Sequence, residues 1–489
     1  MELTELINKV HVIQVAGNVQ QKDVEGIFYD SRKVTKDTVF VAIKGFNVDG
    51  HKYIFEAINK GAVAVVLEDN DAVPDELFIH TETAKILVKD SRIALAELSK
   101  SFYKNVSEKI KLIGITGTKG KTTTSFIVKS ILETAGIKTG LLGTIANYIG
   151  DKKIESSLTT PESNDLNQLL FEMHNKKCTY VVMEVSSHAL ALKRVYGLNF
   201  SAALYTNISS DHLDFHETFE NYLAAKKILF DNLSSSAFGV YNLDDKSYPR
   251  IIENRVAPLY SLGKSPGADF YIRDVSYNLD GTFFTIENNH KAYSITTPLV
   301  GEFNAYNAAF AFAVTTLSGI DPDTAVLGIA NTPQVPGRFE LAGRGNKKVI
   351  VDYSHNADSL EKTLMTIRNI VQDKHPVYTV FGCGGNRDKT KRPVMGRIAS
   401  ELSKEVIITS DNPRNENPID IIKEIERGIA KKNYEIIEDR EEAIKKIIEK
   451  SEPDAVILIA GKGHETYQEI KGIRKHFSDR EVAEKYLSL

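Results

Sequence analysis

The sequence predicts an α/β protein of three domains, on the strength of three observations. A strand, a Gly-rich loop and a helix follow one another at residues 110–135. From residue 337 onward, four apolar segments alternate with helical stretches, which is typical of a mostly parallel sheet with right-handed crossovers. The length of 489 residues suits several domains of about 150 residues each. We predict a small α/β N-terminal domain at 1–107, a central P-loop-type ATPase domain with a parallel sheet at 108–336, and a C-terminal Rossmann-like α/β domain at 337–489.

The composition is that of an ordinary soluble globular protein, with 42% hydrophobic and 26% charged residues. A net charge of −4 shows no overall excess of basic residues of the kind that binds nucleic acid. No apolar run approaches the roughly 18 residues of a membrane span, and the acidic N-terminus lacks a signal-peptide core. The two cysteines, Cys178 and Cys383, are far apart and suit a reducing compartment. We therefore expect a cytoplasmic protein.

The N-terminal segment has the pattern of a small α/β unit. Two polar loops within it, 30–32 and 44–51, are either ordinary turns or binding loops. Its apolar and amphipathic segments predict buried strands at 39–43 and 62–66, and helices at 53–60 and 92–103.

The motif that opens the central domain predicts a phosphate-binding loop. It consists of Gly117-Thr118-Lys119-Gly120-Lys121-Thr122-Thr123, between a strand at 110–115 and a helix at 125–135. Backbone N–H groups of such a loop and of the following helix bind anions. Lys121 would bind the β- and γ-phosphates, and the Thr122 hydroxyl would bind Mg²⁺. Because Ile115 stands where the generic pattern has its first glycine, the loop is a compact variant. We conclude that the chain binds a nucleoside triphosphate.

Glu184 ends a second apolar strand at 180–183. An acidic residue at the end of a strand beside the phosphate loop commonly serves the metal, although a solvated Glu is the alternative. A following segment carries a dense polar group that could hold a divalent cation or form a solvated turn: Asp211, His212, Asp214 and His216. Lys226 lies on a predicted helix at 220–232, where a lysine is usually solvated.

Hairpins at 269–298, a helix at 308–317 and a Pro-containing linker at 331–336 complete the central domain. In the C-terminal domain, a polar or Gly-rich cluster follows each predicted strand. Ligands bind at the carboxyl ends of the strands in open α/β sheets, although four functionless turns are the alternative. The strands are 349–351, 377–381, 406–409 and 456–460, and the clusters are 352–356, 382–388, 411–414 and 461–465.

These motifs, in this order, resemble those of the ATP-dependent Mur ligases of peptidoglycan synthesis, and the resemblance covers essentially the whole chain. The matching blocks are 117–123, 184–188, 211–214, 225–226, 337–340 and 461–465. The member that the chain most resembles uses ATP and Mg²⁺ to add a third residue to UDP-N-acetylmuramoyl-L-alanyl-D-glutamate, through an acyl phosphate. The resemblance implies the same activity here, in a monomer without nucleic-acid or membrane partners.

The resemblance also implies roles for individual residues. Thr122 and Glu184 would hold one Mg²⁺, His212 a second, and Lys226 would act as a carbamate beside the metal. Leu192 departs from the family, because some relatives carry Gln there against the uridine-linked substrate. That substrate would contact the loop at 46–48 and Ser31, Thr159, Thr160, Ser186 and Arg194, and the nucleotide would contact residues 117–123, Asn304, Arg338 and Asp352.

The resemblance also indicates which amino acid is added. The tetrapeptide Asp411-Asn412-Pro413-Arg414 resembles the version in enzymes that add meso-diaminopimelate, with Arg387, Gly461 and Glu465 as further contacts. A planar guanidinium can hold the far carboxylate that lysine lacks. The alternative is that Arg414 only pairs with Asp411 or Glu416 at the surface.

Three other functions remain open at this point: a folate-type polyglutamate synthetase, a P-loop NTPase switch, and a non-catalytic nucleotide-binding regulator. The first would lack the N-terminal domain and the Asp-Asn-Pro-Arg motif. A switch would need a partner surface, which nothing in the sequence indicates. Phosphate release that requires both a UDP-muramoyl peptide and an amino acid would separate all three from the ligase.

Overall fold

The structure is a computed structural model that describes residues 1–45, 48–253, 256–342, 347–372 and 374–488. The chain divides into two compact units. The first comprises Met1–Arg273, Thr285–Ser294 and Tyr306–Ile329, and the second comprises Asp274–Phe284, Ile295–Ala305 and Ala330–Leu489.

The first unit begins with a five-stranded sheet of order β1-β5-β4-β3-β2, parallel except for β1. The strands are β1 (Val12–Ala16), β2 (Gly26–Phe28), β3 (Thr38–Val41), β4 (Ala62–Leu67) and β5 (Ala84–Val88), and the helices are α1 (Leu3–Ile7), α2 (Ile54–Asn59), α3 (Asp75–His80) and α4 (Ser91–Phe102). Alternate residues of β3 enter different cores: Val39 and Val41 pack with α1 and α4, whereas Phe40 packs with α2 and α3. Short 3-10 helices lie at Ser31–Lys33, Gly50–Tyr53, Asn70–Ala72 and Val106–Glu108.

A larger sheet follows, with the order β13-β12-β11-β6-β10-β7-β8-β9 in the first unit. Its strands from β13 to β7 are parallel, and β8 and β9 are antiparallel. They are β6 (Lys111–Thr116), β7 (Thr139–Leu142), β8 (Asn147–Ile149), β9 (Lys152–Ile154), β10 (Tyr180–Glu184), β11 (Ala202–Tyr205), β12 (Phe238–Asn242) and β13 (Leu259–Gly263). The helices are α5 (Lys121–Thr134), α6 (Ser163–Asn175), α7 (Ser187–Ala191), α8 (Leu213–His216), α9 (Phe219–Asp231) and α10 (Tyr248–Ile251).

The helix predicted from residue 125 begins four residues earlier, at Lys121. Gly120 adopts a left-handed conformation (φ 88°) as its N-cap, so Lys121 and Thr122 lie in the first helical turn. The predicted hairpins are confirmed as β14 (Phe270–Asn278), β15 (Gly281–Asn288) and β16 (Lys291–Thr297), followed by α11 (Glu302–Leu317) and α12 (Pro322–Ala330).

The second unit contains a six-stranded sheet of order β17-β18-β22-β19-β20-β21, parallel except for β17, as the alternating pattern predicts. The strands are β17 (Glu340–Ala342), β18 (Lys348–Asp352), β19 (Val377–Phe381), β20 (Glu405–Ile408), β21 (Tyr434–Ile436) and β22 (Val456–Ala460), followed by a separate pair, β23 (Tyr467–Ile470) and β24 (Ile473–His476). Helices α13 (Ala357–Val371), α14 (Lys391–Leu402) and α15 (Pro418–Glu426) cover one face, and α16 (Arg440–Lys450) and α17 (Asp479–Leu487) cover the other.

Candidate functional site

The phosphate loop lies between β6 and α5, and two glycines determine its shape. Gly117 and Gly120 have φ angles of 148° and 88°, in the region that favours glycine. A Cβ atom on Gly117 would lie 2.0 Å from Thr206 Oγ1, and one on Gly120 would lie 2.5 Å from Asn307 Oδ1. Replacing either glycine would therefore move the loop.

Asn207, which follows β11, holds this loop in place. Its side-chain amide donates to the Lys119 carbonyl oxygen and accepts from the Lys119 N–H, both at 3.0 Å. Its own carbonyl accepts from the Thr118 N–H at 2.8 Å, and the Thr118 hydroxyl lies 2.9 Å from the Tyr222 hydroxyl. Neither Asn207 nor Tyr222 was predicted to have a role, because nothing in the sequence shows that they lie against this loop.

Glu184 lies at the end of β10, next to the phosphate loop as predicted, and only 1% of it is exposed. The Thr122 hydroxyl donates to its Oε2 at 2.9 Å, and the backbone N–H of Thr144 donates to Oε1 at 2.8 Å. The Thr144 hydroxyl lies 3.0 Å from that of Thr159. Because Thr122 gives its proton to a carboxylate, its oxygen lone pairs are available to a cation. Thr144 was missed, since a Thr after a strand carries no distinctive signal.

Lys226 is buried in α9 and not solvated, which overturns the usual expectation for a lysine on a helix. Its ammonium donates to the Gly117 carbonyl oxygen at 2.8 Å and lies 4.5 Å from the Tyr222 ring centroid. Lys121 donates to the same carbonyl at 2.9 Å. Burial lowers the pKa of Lys226 well below its usual value, and the charge of Lys121 lowers it further. No carboxylate forms an ion pair with Lys226 in the described part of the chain.

The His- and Asp-rich segment at 211–216 does not form a cation site of its own. Across residues 1–45, 48–253, 256–342, 347–372 and 374–488, no three His, Cys, Asp or Glu side chains are placed to hold a metal ion. His216 Nε2 lies 2.9 Å from the Ser187 hydroxyl and is buried. The rings of His188 and His212 are 4.8 Å apart, and burial lowers the pKa of His212. A cation bound by His212 would therefore take its other ligands from elsewhere.

The remaining residues that the resemblance assigns to the uridine-linked substrate mostly surround Glu184. The Thr160 hydroxyl donates to the Glu184 carbonyl at 2.8 Å and accepts from the Ser186 N–H at 3.1 Å. Arg194 donates to the Thr160 carbonyl at 3.2 Å and lies 2.7 Å from Glu162. These side chains thus form one connected group at the carboxyl end of β10.

Ser31 belongs to a different group. Its hydroxyl donates to Glu56 at 2.9 Å, and its carbonyl accepts from Lys60 at 2.9 Å. Residues 46 and 47 of the predicted neighbouring loop lie outside the described residues. Leu192 follows α7, where its N–H donates to the carbonyl four residues earlier at 2.8 Å.

In the second unit, the four polar clusters do lie at the carboxyl ends of adjacent parallel strands. The Gly461 N–H donates to the Asp352 carbonyl at 3.1 Å. A Cβ atom on Gly461 would lie 2.7 Å from Asp411 Oδ2, and one on Gly382 would lie 2.3 Å from the Thr409 carbonyl. Glycine at these two positions therefore allows the segments that follow the strands to pack closely against one another.

The predicted amino-acid contacts form a hydrogen-bonded group at these strand ends. The Asn412 amide donates to Glu465 Oε2 at 2.7 Å and accepts from Lys462 at 3.2 Å. Burial raises the pKa of Glu465. Arg414 donates to the Gly385 carbonyl at 2.8 Å. Lys462 is wholly buried, and sequence reasoning gave it no role although it lies inside a quoted motif.

The surface pairing of Arg414 with Glu416 is not what the structure shows. Glu416 accepts from Arg392 at 2.9 Å and also pairs with Lys389. Arg392 is entirely buried and holds the pKa of Glu416 down at about 2. The Arg387 side chain is exposed. Arg414 therefore points a half-buried guanidinium at a carbonyl group rather than at a carboxylate.

The second unit also holds three residues that the resemblance assigns to the nucleotide. Asp352 accepts from the Phe339 N–H at 2.7 Å. The Arg338 guanidinium lies 5.1 Å from the Tyr353 ring centroid. Asn304 is buried, and its amide donates to the carbonyl four residues earlier at 2.9 Å.

Three family models match successive stretches of the chain. They are described as the Mur ligase family, catalytic domain, at residues 23–103, the Mur ligase middle domain at 115–315, and the Mur ligase, glutamate ligase domain, at 337–463. A Clostridium botulinum protein named UDP-N-acetylmuramoyl-L-alanyl-D-glutamate--2,6-diaminopimelate ligase is 45% identical over 96% of this chain and 96% of its own length. The chain belongs to the Mur ligase family.

Other Mur ligases support the same assignment. The Clostridium tetani protein of the same name is 43% identical over 99% of this chain and 98% of its own length. A solved structure of a ligase with that name covers 100% of this chain and 99% of its own, with 30% identity and a TM-score of 0.72. A folylpolyglutamate synthase from Thermotoga maritima covers only 76% of this chain, with 19% identity and a TM-score of 0.61, and shows the fold alone. Among the described residues, no helix has the length and apolar character needed to cross a membrane.

Proposed function

We propose that this Mur ligase uses ATP to join meso-diaminopimelate to UDP-N-acetylmuramoyl-L-alanyl-D-glutamate, as a cytoplasmic monomer in peptidoglycan precursor synthesis. The observation that carries the proposal is full-length similarity, at 45% identity, to ligases that bear this name. The polyglutamate synthetase alternative is weaker, because the likeness to such an enzyme extends over 76% of the chain and to the fold only.

The proposed chemistry has two steps. The D-glutamyl carboxylate attacks the γ-phosphate of ATP, which forms an acyl phosphate and releases ADP. The amine of the amino acid then attacks the acyl carbon, and the tetrahedral intermediate expels phosphate as the amide forms. Negative charge develops on phosphoryl oxygens in the first step, so the N–H groups of residues 117–123 and the Lys121 ammonium would stabilise it.

The residues around Glu184 fit a Mg²⁺ ion that is completed by substrate oxygens. Mg²⁺ is usually bound through one or two protein oxygens together with phosphates and water. Thr122 and Glu184 supply hard oxygen donors beside the phosphate loop, 2.9 Å apart. His212 is the candidate ligand for a second ion. Bound Mg²⁺ would neutralise charge on the phosphate oxygens.

We also propose that Lys226 is carbamylated. Its amine, once deprotonated, would attack CO₂ and lose a further proton, which gives a carbamate anion. Burial and the neighbouring Lys121 both favour the neutral amine that this reaction needs. The carbamate would carry a negative charge beside the Lys121 ammonium, where the structure otherwise directs two lysines at one carbonyl.

The remaining assignments are proposals by similarity to the family. The uridine-linked substrate would contact Ser31, Thr159, Thr160, Ser186 and Arg194, and the nucleotide would contact residues 117–123, Asn304, Arg338 and Asp352. The amino acid would contact Arg387, Asp411, Asn412, Pro413, Arg414, Gly461 and Glu465.

The test is ADP release measured with and without each substrate. We expect release to require both the UDP-muramoyl dipeptide and meso-diaminopimelate. Lys121→Ala should reduce it by about 10³ because the phosphoryl charge loses its cation. Lys129→Ala is the matched control, since Lys129 lies on the same helix and pairs with Glu133. Release without either substrate would indicate a switch, and no release would indicate a regulator.

A further inference from the structure

The tetrapeptide at 411–414 is held in an unusual conformation. Arg414 has a φ angle of 51°, in the left-handed region that residues with a side chain rarely adopt. Pro413 precedes it and restricts the backbone further. A conformation of this kind persists only where surrounding contacts maintain it.

Those contacts come from the hairpin formed by β23 and β24. The Gln468 side chain donates to the Asp411 carbonyl at 2.8 Å, and the Glu469 N–H donates to Asn412 Oδ1 at 2.9 Å. The Arg414 N–H donates to the Glu469 carbonyl at 3.0 Å, and its carbonyl accepts from the Lys471 N–H at 2.7 Å. Main-chain groups at both ends of the tetrapeptide are therefore bound by one hairpin.

Lys462 joins the base of this hairpin to the same group. Its buried ammonium donates to the Tyr467 carbonyl at 2.5 Å, to Asn412 at 3.2 Å and to Glu465 at 3.3 Å. The hairpin is a separate two-stranded sheet, and every side chain of β24 is exposed. An isolated hairpin is marginally stable in water, so its contacts with 411–414 also help to hold the hairpin itself.

We propose that the β23–β24 hairpin is a specificity element, in which Gln468 is a positioning residue that holds Asp411–Arg414 in the shape needed to present Arg414 to the amino acid. This inference rests on the proposed function, because it concerns how the same site selects its amino acid. Gln468 itself acts through the Asp411 carbonyl and not on the substrate.

The first experiment compares Gln468→Ala with the wild-type enzyme and with Lys475→Ala. Lys475 is paired with Gln468 on the opposite strand and is exposed, so it is a matched control. Because Gln468→Ala removes one hydrogen bond, we expect the KM for meso-diaminopimelate to increase about 3- to 10-fold. We expect the KM values for ATP and the UDP-substrate, and kcat, to stay within about twofold of the wild type. The preference over L-lysine should fall by the same factor.

The second experiment is amide hydrogen exchange, which needs no activity. Gln468→Ala should accelerate exchange at the Arg414 and Lys471 amides, with the six-stranded sheet unchanged. A uniform rise in all three KM values, or unchanged exchange, would overturn the inference. A wild-type enzyme inactive with its three substrates would instead refute the proposed function and with it the specificity role, whereas exchange would still decide whether the hairpin holds the loop.

Discussion

Lys226 and Arg440 are both cationic side chains that the fold removes from water, but their surroundings differ. Arg440 is 1% exposed and forms a bidentate ion pair with Asp479, with N···O distances of 2.7 and 2.8 Å. Lys226 is equally buried and contacts a carbonyl and an aromatic ring. A buried charge is costly unless it is paired, so Arg440 has what a stable fold requires and Lys226 does not. The difference supports our proposal that Lys226 has a chemical role, whereas the paired Arg440 serves the stability of the fold.

The same contrast exists in the second unit between Arg392, in the first turn of α14, and Arg414, in the segment after β20. Arg392 is bound by Glu416 and Glu424, whereas Arg414 donates to a carbonyl group. A guanidinium that has no carboxylate partner within the protein can still bind a carboxylate of a ligand.

Arg414 should produce the largest effect, because it would hold the far carboxylate of meso-diaminopimelate. Sites that bind such a group reject analogues lacking it by roughly 10⁴. Arg414→Lys should remove most of that preference over L-lysine without changing ATP binding, since an ammonium cannot make the bidentate contact with a carboxylate. ADP release with each amino acid at equal concentration is the measurement. Equal release by the wild-type enzyme would contradict it.

Lys226→Ala should lower ligation by about 10³, the scale of removing one charged contact in a catalytic site. Short carboxylates in the buffer should restore part of the activity, because they can replace the carbamate. Lys227→Ala should be normal, since Lys227 pairs with Asp231 on the same helix. Full activity of a folded Lys226→Ala enzyme would place Lys226 in the same class as Arg440.

Arg440→Met should lower the free energy of unfolding by about 3–5 kcal/mol, because Asp479 keeps a buried charge without a partner. The double variant Arg440→Met/Asp479→Leu should recover most of this loss. Urea unfolding of the three proteins is the measurement. A single variant as stable as the double variant would show that the ion pair is not the cause.

The smallest effect concerns pH. Arg392 holds the pKa of Glu416 at about 2, below the usual 4.5. The unfolded chain therefore binds a proton at higher pH than the folded one, so this contribution to stability is present above pH 4.5 and is lost as pH falls towards 2. Glu416→Gln should reduce the acid dependence of the unfolding midpoint in that window. The exposed pair of Glu401 with Arg397 provides a control in Glu401→Gln.

Local patterns in the sequence were enough for most of the fold. Apolar runs located four of the six strands of the C-terminal sheet within one or two residues, and Gly-Lys-Thr located the phosphate loop; the short strands β17 and β21 were not predicted. The start of α5 was predicted less accurately, because the helix begins directly after Gly120, which has a left-handed backbone conformation, and a backbone angle is not visible in a hydrophobic pattern.

The sequence by itself determined the α/β class, the glycine-rich loop between β6 and α5, and the strand-end position of the polar clusters, because these depend on short-range periodicity and on glycine geometry. Only the tertiary structure decided which polar side chains have partners. No signal in the sequence distinguishes these four buried cations, yet each packs against a different set of groups: Lys226, Lys462, Arg392 and Arg440. Those groups come from distant segments: Gly117 for Lys226, Asp479 for Arg440 and the 411–414 turn for Lys462. Burial and pairing are long-range properties, so only the folded chain shows which of these cations have a carboxylate partner.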